Sequence, residues 1–173
     1  TLIISAFAGC GKTWLTENQR QYGYTMCDSD SSAYQKIEGW EHRYLEDVME
    51  RVKSGKYDFV FVCQTESVID EMDKQDNIVW NDNETKERAL ERQIIKQQWF
   101  GRFVLRDNSH IEDFPKWLEH IKEIYDDRTS LEFINRHKQV SFFKLNQNQY
   151  IADIIADLYW KKENVDIYVA NNE

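Results

Sequence analysis

Residues Leu2 to Thr13, Leu-Ile-Ile-Ser-Ala-Phe-Ala-Gly-Cys-Gly-Lys-Thr, restrict this chain more than any other stretch. Three apolar, β-prone residues run into a turn of small residues that ends in Gly-Lys-Thr, and Trp14-Leu15 opens a helix. A strand that feeds a glycine turn at a helix start is built to hold phosphate. Backbone N–H groups and the positive end of the helix dipole converge there on one anion. In that geometry Ala8, Gly9, Cys10, Gly11, Lys12, Thr13 and Trp14 surround the nucleotide phosphates. Lys12 reaches the terminal phosphates and the Thr13 hydroxyl serves Mg²⁺. The full spacing G-x-x-x-x-G-K-[ST] would put a glycine at Ala6; alanine serves if its φ is negative, since only left-handed backbone demands glycine. The plainer alternative is a strand–turn–helix junction whose glycines serve backbone geometry alone.

The rest of the chain repeats strand and helix. A first helix is expected from about Lys12 to Arg20, then a short strand at Tyr24–Cys27 that ends in Asp28-Ser29-Asp30-Ser31-Ser32. Trp40, Tyr44, Val48 and Val52 recur every four residues and predict an amphipathic helix over about 38–54. Tyr57–Cys63 is a near-continuous apolar run, which fits a parallel strand covered on both faces. A short helix over about 67–74, a strand at Asn77–Trp80 and a charged helix over about 84–98 follow. Residues 99–138 read as interrupted helix, with Pro115 at a helix start and Trp117, Ile121, Ile124 and Tyr125 on its face. A fifth strand is expected at Gln139–Leu145, a helix from about Gln147 to Trp160, and a terminal edge strand at Val165–Val169. Such alternation implies an α/β domain with a parallel five-stranded sheet and helices on both faces. Ligands then bind beyond the carboxyl ends of the strands, where the glycine turn, Asp28–Asp30 and Gln64 share one crevice.

Asp28 and Asp30 are two apart at a strand end, so both carboxylates can face that crevice. With Thr13, Asp28 would hold Mg²⁺ through oxygen, as this hard ion prefers; Asp30 would orient the acceptor or take its proton. The other reading of this polar cluster is a cap for the next helix. Trp40 and Arg43 could stack on a base and hold a phosphate, with Gln64 beside the acceptor, although Trp40 also suits the core. Arg88 and Arg92 share a helix face and could stabilise the transferring phosphoryl group from a mobile helical lid, as could Arg102, Arg106, Arg128 and Arg136 after them. Acidic Glu84, Glu87 and Glu91 interleave with them, which is equally the pattern of a solvated helix.

Composition narrows the partners. A net charge of −9 speaks against long nucleic acid held in a basic groove and leaves a small anionic ligand open. Three cysteines without C-x-x-C spacing suit a reduced, cytoplasmic chain. No charged-then-apolar leader precedes the first strand and no apolar run reaches membrane-spanning length, so a soluble chain without a membrane partner is expected.

Together, the glycine turn, the Asp-x-Asp after the second strand and the charged Lys86-Glu87…Leu90-Glu91-Arg92 helix resemble the nucleotide kinase class of P-loop proteins. Ala6 to Thr13 looks like the G-x-P-G-x-G-K-[ST] turn of adenylate-kinase-like enzymes, with Ala6 and Ala8 in place of its glycine and proline. Asp28-Ser29-Asp30 is similar to the metal and acceptor pair of shikimate-kinase-like and gluconate-kinase-like relatives. Asp28 to Ser32, Tyr57 to Cys63 and the charged helix are closer still to small phage-encoded nucleotide kinases, except that Asn83 stands where an arginine is expected. The likeness spans about residues 1–95 and, more weakly, 140–160.

The resemblance implies a P-loop NTPase fold in one domain over 1–173, with a helical lid or insertion at about 84–138 before the last core strand. It implies ATP and Mg²⁺ as cofactors, a (deoxy)nucleoside monophosphate as acceptor, and the host cytoplasm as location if the chain is phage-encoded; a homodimer is left open. Lys12, Asp30, Arg88 and Arg92 would be the catalytic residues. Two alternatives keep the same donor turn: a kinase for a hydroxyl on a small metabolite or a nucleic-acid 5′ end, and a non-catalytic NTP-binding module. The module is disfavoured because Cys63-Gln64, and no aspartate, follows the Phe59–Val62 run.

Overall fold

The computed structural model describes residues 1–75, 83–106, 108, 116–128, 130–137 and 141–160. Five strands form one sheet: β1 (Leu2–Ala6), β2 (Met26–Asp28), β3 (Phe59–Val62), β4 (Phe103–Arg106) and β5 (Phe142–Leu145). All pairings are parallel, in the order β2-β3-β1-β4-β5. Successive residues of a strand point to opposite faces, and Ile3 with Ile4, like Val60 with Phe61, are all fully buried. Both faces of the sheet are therefore covered.

The helices are α1 (Lys12–Glu17), α2 (Trp40–Lys53), α3 (Glu66–Gln75), α4 (Asn83–Gly101), α5 (Lys116–Arg128), α6 (Leu131–Arg136) and α7 (Ile151–Trp160). Helix α1 is shorter than its sequence suggests. It stops at Asn18, and a 3₁₀ turn at Gln19–Gln21 carries the chain onward. The stripe of α2 is realised, with Trp40, Tyr44, Leu45, Val48 and Met49 buried. Among the described residues no helix is long and apolar enough to cross a membrane.

Residues 99–138 depart from the interrupted helix read in the sequence, because the chain places β4 there, hydrogen-bonded between β1 and β5. Gly101 ends α4, and Phe103, Val104 and Leu105 are all fully buried. A run this short cannot be told from buried helix by periodicity. The region 84–138 is thus not wholly a lid or insertion: α4 lies against β1 with Trp99 and Phe100 fully buried. Among the described residues, α5 and α6 are the helices between β4 and β5. The expected strands at Asn77–Trp80 and Val165–Val169, and the helix start at Pro115, lie outside the described residues.

The strand order fixes where a ligand can sit. The chain leaves β1 toward the β2 edge and leaves β4 toward the β5 edge, so the two connections diverge at neighbouring strands. A crevice opens outside the carboxyl ends at such a divergence. The glycine turn after β1 lies there.

Candidate functional site

Ala6 is the last residue of β1, in extended backbone, which is why alanine can replace the glycine of the strict spacing. The left-handed positions fall on Gly9 (φ 80°) and Gly11 (φ 89°), and Gly11 is the N-cap of α1. No side chain caps that helix start, so its first N–H groups remain for another acceptor. Lys12 Nζ donates to the carbonyls of Ala6 (3.0 Å) and Phe7 (3.2 Å), which folds the ammonium back over the turn. Cys10 is fully buried, and desolvation pushes its thiol up to about 12 despite Lys12 and Arg106 nearby. It stays a protonated packing group. Trp14 is exposed on α1, edge-on to Tyr22.

Thr13 Oγ1 donates to Asp28 Oδ2 at 2.9 Å, so the turn and the end of β2 meet as the spacing predicts. The second oxygen of Asp28, Oδ1, is buried without a hydrogen-bond partner. The Thr13 hydroxyl and the Asp28 carboxylate, one of its two oxygens unpaired, make a hard-oxygen pair of the kind Mg²⁺ takes, with water and phosphate left to complete its shell. Ser29 turns inward between the two aspartates and is held there. Its Oγ accepts from Arg51 Nη1 at 2.6 Å and its carbonyl accepts from the Tyr44 hydroxyl at 2.7 Å.

Asp30 behaves differently from Asp28. Its Oδ1 accepts from Ser32 N (2.8 Å) and its Oδ2 from Ser32 Oγ (2.6 Å), capping a 3₁₀ turn at Ser31–Ala33. Those two bonds hold its carboxyl below the usual carboxylate range. The capping reading is realised at Asp30, and a carboxyl held ionised this way is a weak proton acceptor.

Two adjoining cavities meet at Asp30. One, of about 240 Å³, is lined by Ala6, Ala8, Lys12, Asp30 and Gln64 among others, with Ile124 of α5 across from the turn. The other, of about 720 Å³, is lined by Asp28, Asp30, Tyr34, Trp40, Arg43 and Arg51 among others. The structure therefore gathers Asp28, Asp30, Trp40 and Arg43 around one space and puts Gln64 in the next. Trp40 is nearly buried and also packs on Tyr34 and Tyr44, with Lys36 Nζ 3.4 Å from its ring centre. Gln64 has a bracing part: Nε2 donates to the carbonyls of Ser5 and Val104, both at 3.0 Å, while its buried Oε1 has no hydrogen-bond partner.

Arg88 and Arg92 line neither cavity. Arg88 is exposed on α4, whereas Arg92 pairs with Glu46 of α2 at 3.2 Å. The packing of α4 on β1 turns this face toward α2, so the structure does not bring the two arginines to the turn. Sequence reasoning missed Asn108 and Tyr150, which touch the turn from its other side, and offered Arg106 only as a lid arginine, whereas it ends β4 and bonds to Asn108. Asn108 follows a strand that was read as helix, and Tyr150 precedes α7, so neither stood out in the sequence. Among the described residues no group of three or more His, Cys, Asp or Glu could hold a metal ion by itself.

No protein-family model matches the chain, and neither the curated proteins nor the solved structures provide a match.

Proposed function

We propose that this chain is a phosphotransferase that moves the terminal phosphoryl group of ATP to a small acceptor, a (deoxy)nucleoside monophosphate, in a P-loop NTPase-like fold. One observation carries the reading. Lys12 lines a cleft that shares Asp30 with a cavity large enough for a nucleotide, and Asp28, bonded to Thr13 of the turn, lines that larger cavity. The parallel sheet order is compatible with that fold.

In this reading the glycine turn and the uncapped start of α1 receive the donor phosphates. Lys12 exchanges the two carbonyls of Ala6 and Phe7 for phosphate oxygen. Thr13 and Asp28 would hold Mg²⁺, which when bound neutralises charge on the phosphates. Arg43 supplies positive charge at the acceptor cavity, and Tyr34 and Trp40 supply aromatic surface for a base. A monophosphate acceptor is already ionised, so the weak basicity of Asp30 is no obstacle; Asp30 shapes the loop and accepts hydrogen bonds.

A hydroxyl acceptor is the second reading, favoured by the carboxylates of Asp28, Asp30, Glu38 and Asp47 in the same cavity. A coupled ADP-release assay with UMP, dTMP, dAMP, dGMP and a 5′-hydroxyl oligonucleotide separates the two. Turnover with a monophosphate supports the first reading, and turnover with the oligonucleotide alone moves the assignment to the second. ATP binding without turnover on any acceptor leaves a binding module.

A further inference from the structure

Behind the turn, away from the two cavities, lies a second set of polar side chains. Arg106, the last residue of β4, is only 3% exposed. Its Nε donates to the Gln149 carbonyl (2.9 Å), its Nη2 to the Gln147 carbonyl (2.8 Å) and its Nη1 to Asn108 Oδ1 (2.6 Å). Its guanidinium also lies 4.3 Å from the Tyr150 ring centre. All of these partners are uncharged, and among the described residues no carboxylate pairs with it. A buried cation without a counter-charge is costly until a negative group comes near.

The bond from Arg106 also sets which way the Asn108 amide faces. With Oδ1 taken, Nδ2 donates to the Ala8 carbonyl at 3.1 Å. The same amide lies 3.0 Å from where a Cβ on Gly9 would stand, and the Tyr150 ring lies 3.2 Å from one on Gly11. Ile151 N donates to the Cys10 carbonyl at 2.9 Å, which ties the start of α7 to the turn. Both left-handed glycines are thus backed by this cluster.

We propose that Arg106, Asn108 and Tyr150 are positioning residues for the donor anion. They hold Gly9 and Gly11 in place from behind and keep beside the turn a positive charge that no carboxylate among the described residues neutralises, so they set its affinity for a nucleoside di- or triphosphate. The proposal rests on the phosphate reading of the turn.

Asn108→Asp tests it. This substitution keeps the size of the side chain and an acceptor for Arg106. It also neutralises the guanidinium and replaces the donor to Ala8 with an oxygen. Asn108→Ala removes the amide altogether. Each variant is titrated with ADP and Mg²⁺ by calorimetry, and its thermal midpoint is measured without nucleotide. The expected result is opposite rankings: N108D melts at or above N108A yet binds ADP more weakly. Its affinity falls at least about tenfold below wild type, the size of one hydrogen bond lost. In turnover, the KM for ATP rises while kcat at saturating ATP is little changed.

Wild-type affinity in N108D overturns the proposal, and so does affinity that merely follows stability. If N108D does not fold, Tyr150→Leu carries the test: it keeps an apolar contact at Gly11 and removes the ring from Arg106. Weaker ADP binding is then expected, and unchanged binding overturns the proposal. If wild-type protein binds no ADP, the phosphate reading itself fails and this inference falls with it.

Discussion

Tyr44→Phe isolates one hydroxyl that ties two walls of the crevice together. Tyr44 is fully buried on α2; its Oη donates to the Ser29 carbonyl (2.7 Å) and accepts from Cys63 N (3.1 Å). Phenylalanine keeps the ring and its edge contacts with Tyr34 and Trp99, so packing is nearly unchanged. Two hydrogen bonds at about 1 kcal/mol each, plus the cost of leaving Ser29 without one partner, give a loss of about 2–4 kcal/mol. For a chain of this length that lowers the melting midpoint by roughly 5–15 °C. Urea unfolding should show a lower midpoint with an unchanged slope, the mark of altered stability alone. Because Ser29 sits between Asp28 and Asp30, the KM for the acceptor should rise as well. A urea midpoint indistinguishable from wild type would show that water replaces the hydroxyl, and would refute the claim that Tyr44 fixes this loop.

Three further outcomes follow from the geometry. Lys12→Met should abolish turnover and weaken ADP binding by about tenfold to a hundredfold, as for a lost hydrogen bond to a charged group; an unchanged rate sinks the role given to Lys12. Asp30→Ala should cost about 1 kcal/mol at neutral pH, as other lost caps do. Because the folded-state carboxyl titrates below its ordinary 3.8, this contribution is present above that value and fades as pH falls through the folded pKa. Urea curves of wild type and D30A should therefore lie apart at neutral pH and draw together as pH falls below 3.8. Cys10, buried and with its thiol pushed up to about 12, should resist iodoacetamide at pH 8 while Cys27 and Cys63, both half-buried, react first. Rapid labelling of Cys10 in folded protein would contradict its burial.

What the sequence revealed followed from short-range rules. The glycine turn, the α2 stripe and the β3 run each contain their own pattern within a few residues, and all three stand where they were read. The meeting of Thr13 with Asp28 was legible because two strand ends in a parallel sheet share an edge. β4 was not legible, since Phe103 to Arg106 is too short to show a period and directly follows a long helix. The different roles of Asp28 and Asp30 depend on Ser32 reaching back to one of them, which spacing alone does not reveal. Arg92 looked free to reach a phosphate; the pairing with Glu46 is a tertiary contact between helices 46 positions apart. Arg106 was assigned to a lid because the strand that carries it was read as helix.

The clamp made by Gln64 has a mechanical consequence. β1 pairs with β3 over four residues and β4 with β5 over four, but β1 and β4 share only two paired positions. That seam runs down the centre of the sheet and is the shortest of the ladders beside β1. The Gln64 amide, bonded to Ser5 on one side and Val104 on the other, acts as a rivet across it. If the sheet splits under load or in a partial opening, it parts there first, with β2, β3 and β1 on one side and β4 with β5 on the other. Such a split would carry Asn108 away from Ala8 and strip the glycine turn of its backing. The geometry of the glycine turn is then tied to one side-chain amide far from it in sequence.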